Sequence, residues 1–301
     1  MSAGPSVSVV IPAYNAERWI AQTLDAVLAQ SEPAEEVVVV DDGSSDRTRA
    51  VVERFGDRVR LIDQANAGCG AAFNTAIGSA TSEYVALCPA DDLWVPEKLQ
   101  WQRATLRANT EVDVSFGAAI NFGASDAPFR RPTGEGVLEP HALLRDMFVE
   151  HCIPDPSTVL RRALHQRLGG FVHPIGEDFE FWMRAVRGGA VFHFDPRVLV
   201  RLRQHGGNLS SNALAIHEMT LGVRQAAAAD LGDAGLAARI IARNQRQVAR
   251  ARLGLGRVAE SRTAYRESLR TRFDAGAAVG AVLLGLPGAG RVVGRLNARR
   301  S

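Results

Sequence analysis

The chain has 301 residues, of which 46% are hydrophobic and 23% charged, so it can bury a large core and is not wholly disordered. Its formal net charge of +2 is too small to favour nucleic acid as a partner. The order of its apolar and turn-forming segments then predicts the fold.

Strand and helix patterns alternate through the first part of the chain. Short β-branched runs predict strands at 7–12, 37–40, 59–62, 84–88 and 112–116. Apolar residues at helical spacing predict helices at 15–30, with Asn15 as a candidate cap, and at 47–55, 71–79 and 93–109. This alternation predicts an α/β fold with a doubly wound, mostly parallel, Rossmann-like sheet.

The stretch EVVVVDDGSSD is the centre of this pattern. Its four consecutive valines predict a strand buried on both faces, and Asp41 and Asp42 follow at the carboxyl end of that strand. Open α/β sheets bind ligands at this end, although Asp-Gly is also ordinary turn chemistry. The strand at 84–88 is likewise followed by Asp91 and Asp92, and this repetition favours a ligand site.

A dinucleotide-binding protein is the obvious competitor for such a fold. That class requires Gly-x-Gly-x-x-Gly at the first turn from strand to helix, where the backbone approaches a pyrophosphate. The turn here reads PAYNA, and Gly68 and Gly70 come only after the third strand. NAD binding is therefore not predicted.

Cysteine usage and targeting signals point to the compartment. Cys69, Cys88 and Cys152 are scattered, which favours reduced thiols over a disulfide framework or a metal cluster. No basic segment followed by an apolar core opens the chain, and no run reaches the ~18 apolar residues of a membrane span. These features predict a cytoplasmic location, with the inner face of the membrane as an alternative.

Three stretches carry a family resemblance: IPAYNAERWIAQTLDAVLAQS, VVVVDDGSSDRT and NAGCGAAFNTAIGSATSEYVALCPADDLWVPEKL. In order and spacing they resemble glycosyltransferase family 2, which has the GT-A fold, and the likeness extends over residues 6–211. The resemblance implies transfer of a sugar from a nucleotide diphosphate donor, with UDP favoured, to a hydroxyl of a glycan or lipid-linked acceptor, inverting the anomeric carbon. It implies a catalytic domain at 1–212, with the nucleotide-sugar half up to about 117 and the acceptor half from 118.

The same resemblance assigns the donor and metal sites. A divalent cation, Mn²⁺ or Mg²⁺, would neutralise the diphosphate and would be held by Asp91, Asp92 and His205. The alternative for the two acids is that they cap the following helix. The residues implied in nucleotide-sugar binding are Pro12, Ala13, Tyr14, Asp41, Asp42, Asn74, Asp91 and Arg203.

Two positions depart from the family pattern. Pro89 stands where an acid is frequent, and Phe73 stands where an arginine often helps to hold the donor. The departures leave open a different donor, a weaker dependence on metal, or a degenerate site.

An acidic pair opens a predicted helix in the second half of the chain. By the resemblance, Asp178 is the general base that takes the acceptor hydroxyl proton, and Glu177 orients the acceptor or the loop. The alternative is that both acids only complement the helix dipole. Asp155, which lies between two prolines, is interpreted as a turn residue.

The remaining segments complete the predicted organisation. Residues 117–136 predict a hairpin or mobile loop, 141–148 a helix, and 191–194 and 198–202 two strands. From residue 213 alanine, leucine and arginine dominate, which predicts a C-terminal helical region at 213–301 with helices at 213–230, 234–253 and 257–270. The apolar segment 275–296 is interpreted as an interfacial membrane helix, or as a helix that packs on the catalytic domain or on a homodimer partner.

Two further functions remain open from the residues alone. A nucleotidyltransferase shares the acidic metal chemistry, but the loop after the first strand lacks the glycines and basic residues that would hold a triphosphate. A non-catalytic nucleotide-sugar-binding scaffold would account for Pro89 and Phe73.

Overall fold

The structure is a computed structural model that describes residues 4–173, 176–206, 212–272, 281–282 and 284–285. The chain forms two compact units, residues 1–208 and 209–301, against a predicted boundary after residue 212. The predicted interfacial helix at 275–296 lies almost wholly outside the described residues, and so does the asparagine and serine segment at 207–211.

The first unit is built on one sheet flanked by helices. Its strands are β1 Val7–Ala13, β2 Glu36–Asp41, β3 Arg60–Asp63, β4 Tyr84–Leu87, β5 Leu93–Trp94, β6 Val114–Gly123, β7 Gly136–Val137, β8 Val159–Arg161 and β9 Phe192–Gln204. Its α-helices are α1 Ile20–Leu28, α2 Thr48–Glu53, α3 Cys69–Ser79, α4 Lys98–Ala108, α5 Pro140–Val149, α6 Arg162–Arg167 and α7 Glu177–Arg187, and Asp155–Ser157 forms a 3₁₀ turn.

The strand order in the sheet is β3-β2-β1-β4-β8-β6-β9-β5, with β7 also paired to β9. Strands β1, β2, β3 and β4 are parallel to one another, whereas β8 is antiparallel to both β4 and β6. The predicted α/β fold is confirmed. Because β1, β2 and β4 run in the same direction, their carboxyl ends share one edge of the sheet, as ligand binding in open α/β sheets requires.

The valine run occupies the position that its composition predicted. Val38, Val39 and Val40 of β2 are fully buried, and Val39 lies opposite Ile11 of β1 and Leu61 of β3. Burial on both faces explains why this strand reads as a continuous apolar run rather than an alternating one.

Two predicted elements were wrong. Leu93 and Trp94 form a short strand against β9, so the helix that was predicted from residue 93 begins only at Lys98. The two strands predicted at 191–194 and 198–202 are one strand, β9. In the segment 117–136, predicted as a hairpin or mobile loop, residues 117–123 continue β6 and Ile120 forms an antiparallel bridge with Pro128, as in a hairpin.

The two strands were predicted separately because a bulge interrupts the pairing of β9 with β6, and the local sequence does not reveal this bulge. Gly117 pairs with Asp195 and Ala118 with Val198, so Pro196 and its neighbour stand out of the ladder. A bulge removes the need for the hydrogen bond that proline cannot donate. A Cβ on Gly117 would lie 2.4 Å from the Leu199 side chain, so the bulged pair also requires glycine here.

The second unit consists of helices, as predicted. They are α8 Ala213–Ala227, α9 Ala234–Gly254 and α10 Val258–Thr271. Val248 and Ala249 of α9 pack with Ala264 and Tyr265 of α10 in one apolar cluster. Among the helices within the described ranges, none is long and apolar enough to cross a membrane.

Candidate active site

The carboxyl ends of β1 and β2 bring the first group of predicted residues together. Ala13 pairs with Asp41, and the Asp42 amide donates to the Ala13 carbonyl at 2.8 Å. Pro12 and Ala13 are buried within β1, whereas Tyr14 directly after them is 54% exposed. An exposed aromatic ring at this edge is available to a planar ligand.

Both acids at the end of β2 shape the loops around this edge. Asp42 is buried, and its Oδ1 accepts from Gln64 Nε2 at 2.7 Å and from the Ala67 amide at 2.9 Å. Its Oδ2 accepts from the Gly68 amide at 2.8 Å, so this carboxylate holds the loop that leads into α3. Asp41 Oδ1 accepts from the Ser44 amide at 3.0 Å.

Asn15 does not cap α1, which begins five residues later at Ile20. Its backbone is left-handed, with φ 49°, and its Oδ1 accepts from the amides of Ser45 at 2.9 Å and Asp46 at 3.3 Å. The predicted cap therefore ties the loop after β1 to the loop after β2. These hydrogen bonds hold the loop after β1 and the loop after β2 in a fixed position relative to each other.

The loop after β4 places Asp91 beside His205. Asp91 Oδ2 lies 3.0 Å from His205 Nε2, and about a quarter of each side chain is exposed. Trp19 stacks on the His205 ring with centroids 5.6 Å apart. No signal in the sequence links Trp19 to this loop, so its part in the site was missed.

Asp92 faces in a different direction from Asp91. It is 6% exposed, and its Oδ1 accepts from the Arg203 amide at 2.8 Å. Burial and the nearby charge of Asp91 raise the pKa of Asp92 well above its usual range. Asp92 therefore braces β9 against the acidic loop. Its predicted share in a metal site with Asp91 stays a prediction.

Arg203 covers the same loop. Its Nε donates to the Asp91 carbonyl at 2.8 Å, and its guanidinium lies over the rings of Trp19 and Phe122 at 4.2 and 4.6 Å. Within the described parts of the chain, no three His, Cys, Asp or Glu side chains cluster closely enough to hold a metal by themselves. Any ion here would need further ligands from the substrate or from water.

Asn74 and Phe73 lie against another loop. Asn74 Oδ1 accepts from the Phe171 amide at 2.9 Å and Nδ2 donates to the Phe171 carbonyl at 2.8 Å. The same Oδ1 lies 2.9 Å from His165 Nε2. Burial, with a smaller effect from the Arg184 charge, lowers the pKa of His165 to about 4, so the ring is neutral. Asn74 therefore fixes the Gly170–Phe171 loop, and Phe73 packs on the Phe171 ring. The part of Asn74 in donor binding stays a prediction.

Two adjacent glycines in that loop allow this role to be tested. Gly169 and Gly170 both have left-handed backbone, with φ of 76° and 74°. A Cβ on Gly170 would lie 2.6 Å from Asn74 Oδ1, whereas a Cβ on Gly169 would meet nothing within 4 Å. We expect Gly169→Ala to lower the free energy of unfolding by about 1 kcal/mol from backbone strain. Gly170→Ala adds the loss of the Asn74 hydrogen bonds, about 1–3 kcal/mol more.

Urea denaturation of both variants measures this difference. Because the backbone strain is nearly the same at the two positions, the second value minus the first isolates the Asn74 contact. Equal losses in the two variants would show that Asn74 does not hold the loop.

A second acidic cluster lies at the start of α7. Asp178 and Glu177 open the helix, and Trp182, one turn further on, donates from Nε1 to Asp155 Oδ1 at 2.5 Å. Asp155 lies in its predicted turn but is also buried beneath this helix. The sequence offered only an aspartate between two prolines, so its place in the cluster was missed.

The three carboxyls of the cluster differ in exposure. Burial raises the pKa of Asp155 and of Glu177, and the negative charge of Asp178 raises both further. The Asp178 side chain is 33% exposed, and its Oδ2 lies 3.5 Å from His151 Nδ1. The two buried carboxyls are thus driven towards their neutral forms beneath one accessible carboxylate, a division of roles common among catalytic acids and bases.

The first turn of α3 connects the two groups of residues. Asp42 accepts from the Gly68 amide, and the next residue, Cys69, interacts with the Glu177 carboxyl. A Cβ on Gly70 would lie 3.1 Å from Phe171 Cβ and 3.3 Å from Glu177 Cβ, so the glycine eases the close approach of α7. The strand edge and the acid cluster are therefore parts of one site.

An accessible carboxylate beside a ligand-binding strand edge suits a reaction that needs a general base. A family model described as Glycosyl transferase family 2 matches residues 8–169, more than half of the chain. The chain belongs to glycosyltransferase family 2 and is a glycosyltransferase.

Two named relatives support this membership. A putative teichuronic acid biosynthesis glycosyltransferase, TuaG of Bacillus subtilis, is 39% identical over 216 residues, which are 69% of this chain and 82% of TuaG. The UDP-Glc:alpha-D-GlcNAc-diphosphoundecaprenol beta-1,3-glucosyltransferase WfgD of Escherichia coli is 30% identical over 187 residues, 60% of this chain and 70% of WfgD. Among uncharacterized Rickettsia glycosyltransferases, the match spans 67% of one from Rickettsia typhi but 34% of one from Rickettsia felis.

Solved structures share the fold. Residues 1–349 of Staphylococcus aureus TarS, in complex with UDP-GlcNAc, match with a TM-score of 0.67 and 20% identity, covering 98% of this chain and 89% of that one. The mannosyltransferase PcManGT of Pyrobaculum calidifontis, in complex with GDP-Man and Mn²⁺, matches with a TM-score of 0.59 and 19% identity, covering 99% and 88%.

Proposed function

We propose that this glycosyltransferase moves a sugar from a UDP-sugar to a hydroxyl of a glycan or lipid-linked acceptor with inversion, and that Asp178 is the general base. The observation that carries the proposal is the accessible Asp178 carboxylate above two buried carboxyls, joined through the start of α3 to the strand edge. Direct displacement at an anomeric carbon needs one such base within reach of the acceptor.

The strand edge supplies the nucleotide site in this proposal. Tyr14 offers an exposed ring on which a base can stack, and Asp41 and Asp42 stand at the neighbouring end of β2. Carboxylates accept from the N–H and O–H groups of a base and ribose. The Asp42 hydrogen bonds to the 64–68 loop make this wall rigid before the donor arrives.

The Asp91 and His205 pair fits a divalent cation such as Mn²⁺ or Mg²⁺. Asp91 Oδ2 and His205 Nε2 are 3.0 Å apart, so both would be close enough to hold one ion. Ions of this kind commonly take one or two protein ligands and fill the remaining positions with substrate phosphates and water. When bound, the ion neutralises charge on the departing diphosphate.

The chain's own residues then carry the proton transfer. Asp178 accepts the proton of the acceptor hydroxyl as that oxygen bonds to the anomeric carbon, and the bond from this carbon to the phosphate oxygen breaks. The nucleotide diphosphate leaves with the bonding electron pair. The Phe179 amide donates to Asp178 Oδ1 at 2.7 Å, and His151 lies beside Oδ2, so the carboxylate is held in one orientation.

The names of similar proteins support the donor and acceptor. UDP-GlcNAc is bound in the TarS structure, and the name of WfgD specifies UDP-Glc and a diphosphoundecaprenol acceptor. Phe73 packs in the core against Phe171, so its departure from the family pattern does not distinguish between UDP-GlcNAc and UDP-Glc as donors.

Release of UDP tests the proposal. We expect the protein to release UDP from one UDP-sugar, faster with a glycan or lipid-linked acceptor than with water. Donors based on GDP and dTDP serve as matched controls, each assayed with Mn²⁺, Mg²⁺ and EDTA. Folded protein that releases no UDP in any of these conditions would contradict the proposal, and binding of a nucleotide sugar without release of UDP would favour the scaffold alternative.

A further inference from the structure

A row of arginines runs along one face of α9. The helix carries five arginines and no acidic residue over its 21 positions. Arg239, Arg243, Arg246 and Arg250 follow one another at spacings of four, three and four residues. At about 100° per residue these four lie within an arc of about 60°. We call them the arginine stripe.

The packing of α9 turns this face outward. Ile241 and Val248, on the opposite side of the helix, are buried. Arg239, Arg243 and Arg250 are exposed, and Arg246 is partly buried with its Nη1 3.4 Å from Ser268 Oγ. The stripe is therefore a continuous basic surface about 16 Å long.

The fifth arginine of α9 lies outside the stripe. Arg252 is on the other side of the helix, and its guanidinium is 2.8 Å from Glu218 of α8. Within the stripe, positive charges stand three and four residues apart on one helix face, and an anionic surface placed against that face would reduce their mutual repulsion.

Charge is divided unequally between the two units. Residues 209–301 contain 15 arginines and 6 acidic residues, a net charge of +9, whereas residues 1–208 contain 20 basic and 27 acidic residues, a net charge of −7. The overall charge of +2 conceals this asymmetry. Such separation favours contact of the helical unit alone with a polyanion.

The chemistry of the stripe fits lipid phosphates. The planar guanidinium binds phosphate oxygens in pairs, and a straight row of four matches a flat array of headgroups. Binding of single-stranded nucleic acid uses aromatic side chains on which bases stack. Among residues 212–272 the aromatic side chain is Tyr265, which is buried.

We propose that the arginine stripe of α9 docks the protein on the phosphate headgroups of an anionic bilayer. The inference is independent of the reaction and of the 275–296 segment. An arginine near a charged membrane surface strengthens binding about fivefold, so loss of two should weaken it about 25-fold.

Sedimentation of the full chain with vesicles tests this inference. We expect binding to vesicles of phosphatidylglycerol and phosphatidylcholine, weakened by salt, and little binding to phosphatidylcholine alone. The double variant R243Q/R250Q should bind about 25-fold more weakly. The control R54Q/R58Q changes the charge equally on exposed arginines of the first unit and should bind like the unchanged protein.

Three results would overturn the proposal. One is equal vesicle affinity of the stripe variant and the control. Another is failure of the folded, unchanged protein to bind anionic vesicles. The third is tighter binding of the stripe to an oligonucleotide than to vesicles at the same salt concentration. Melting temperature shows in each case that the variants are folded, and because no substrate is present, failure of the proposed reaction would not affect the result.

Discussion

Asp178→Asn lowers the turnover number by about 10²- to 10⁴-fold while donor affinity is retained, because the amide cannot accept the acceptor hydroxyl proton. The substitution keeps the shape of the side chain and an oxygen that can accept from the Phe179 amide. It removes the negative charge beside the buried carboxyls of Asp155 and Glu177, so the fold should not lose stability. The measurements are steady-state transfer and calorimetric binding of the donor.

Glu135→Gln is the matched control for this variant. Glu135 is an exposed carboxylate of the same unit, so the same loss of charge there should leave turnover unchanged. If Asp178→Asn turned over at the rate of the control, the assignment of the base would be wrong, whereas a loss of donor binding would place Asp178 in the donor site instead.

Asp91→Asn should abolish the metal-dependent part of donor binding and lower kcat/KM by at least about 10²-fold, since charge stabilisation by an ion contributes several kcal/mol. A donor at about 100 times its Kd adds about 2.7 kcal/mol of stability, which raises Tm by several degrees in a domain of this size. In the unchanged protein we expect this rise in Tm with Mn²⁺ and a smaller rise in EDTA. In Asp91→Asn we expect the smaller rise both with Mn²⁺ and in EDTA.

Asp92→Asn is the comparison that distinguishes the two adjacent acids. Its amide oxygen still accepts from the Arg203 amide, so the brace to β9 survives. We expect this variant to retain the difference between Mn²⁺ and EDTA. If Asp92→Asn lost that difference and Asp91→Asn kept it, Asp92 rather than Asp91 would be the residue that holds the metal.

The local sequence predicted the elements whose signals are local. A valine run followed by two acids indicated β2 and its ligand-binding end, and the dominance of alanine, leucine and arginine from residue 213 indicated three helices. The same kind of signal failed at 191–204, because Asp195 and Pro196 resemble a break between two strands until the pairing with β6 is known.

The residues of the candidate site also fall into those that the sequence predicted and those that it missed. Asp41, Asp42, Asp91 and Asp178 were predicted from acids that follow strands or open a helix, and from the family resemblance those motifs carry. Trp19 and Asp155 were missed, because their partners His205 and Trp182 lie far away in sequence. A local pattern contains no information about such partners.

By itself the sequence determined the α/β order, the family and which acids stand at the ends of strands, because burial and turn chemistry act over a few neighbouring residues. Only the tertiary structure decided which of those acids face the site. It turned Asp91 towards His205 and Asp92 towards the Arg203 amide, and it set Asp155 beneath Asp178. The physical reason is that the orientation and ionisation of a carboxyl depend on its burial and on hydrogen-bond partners from distant strands and helices.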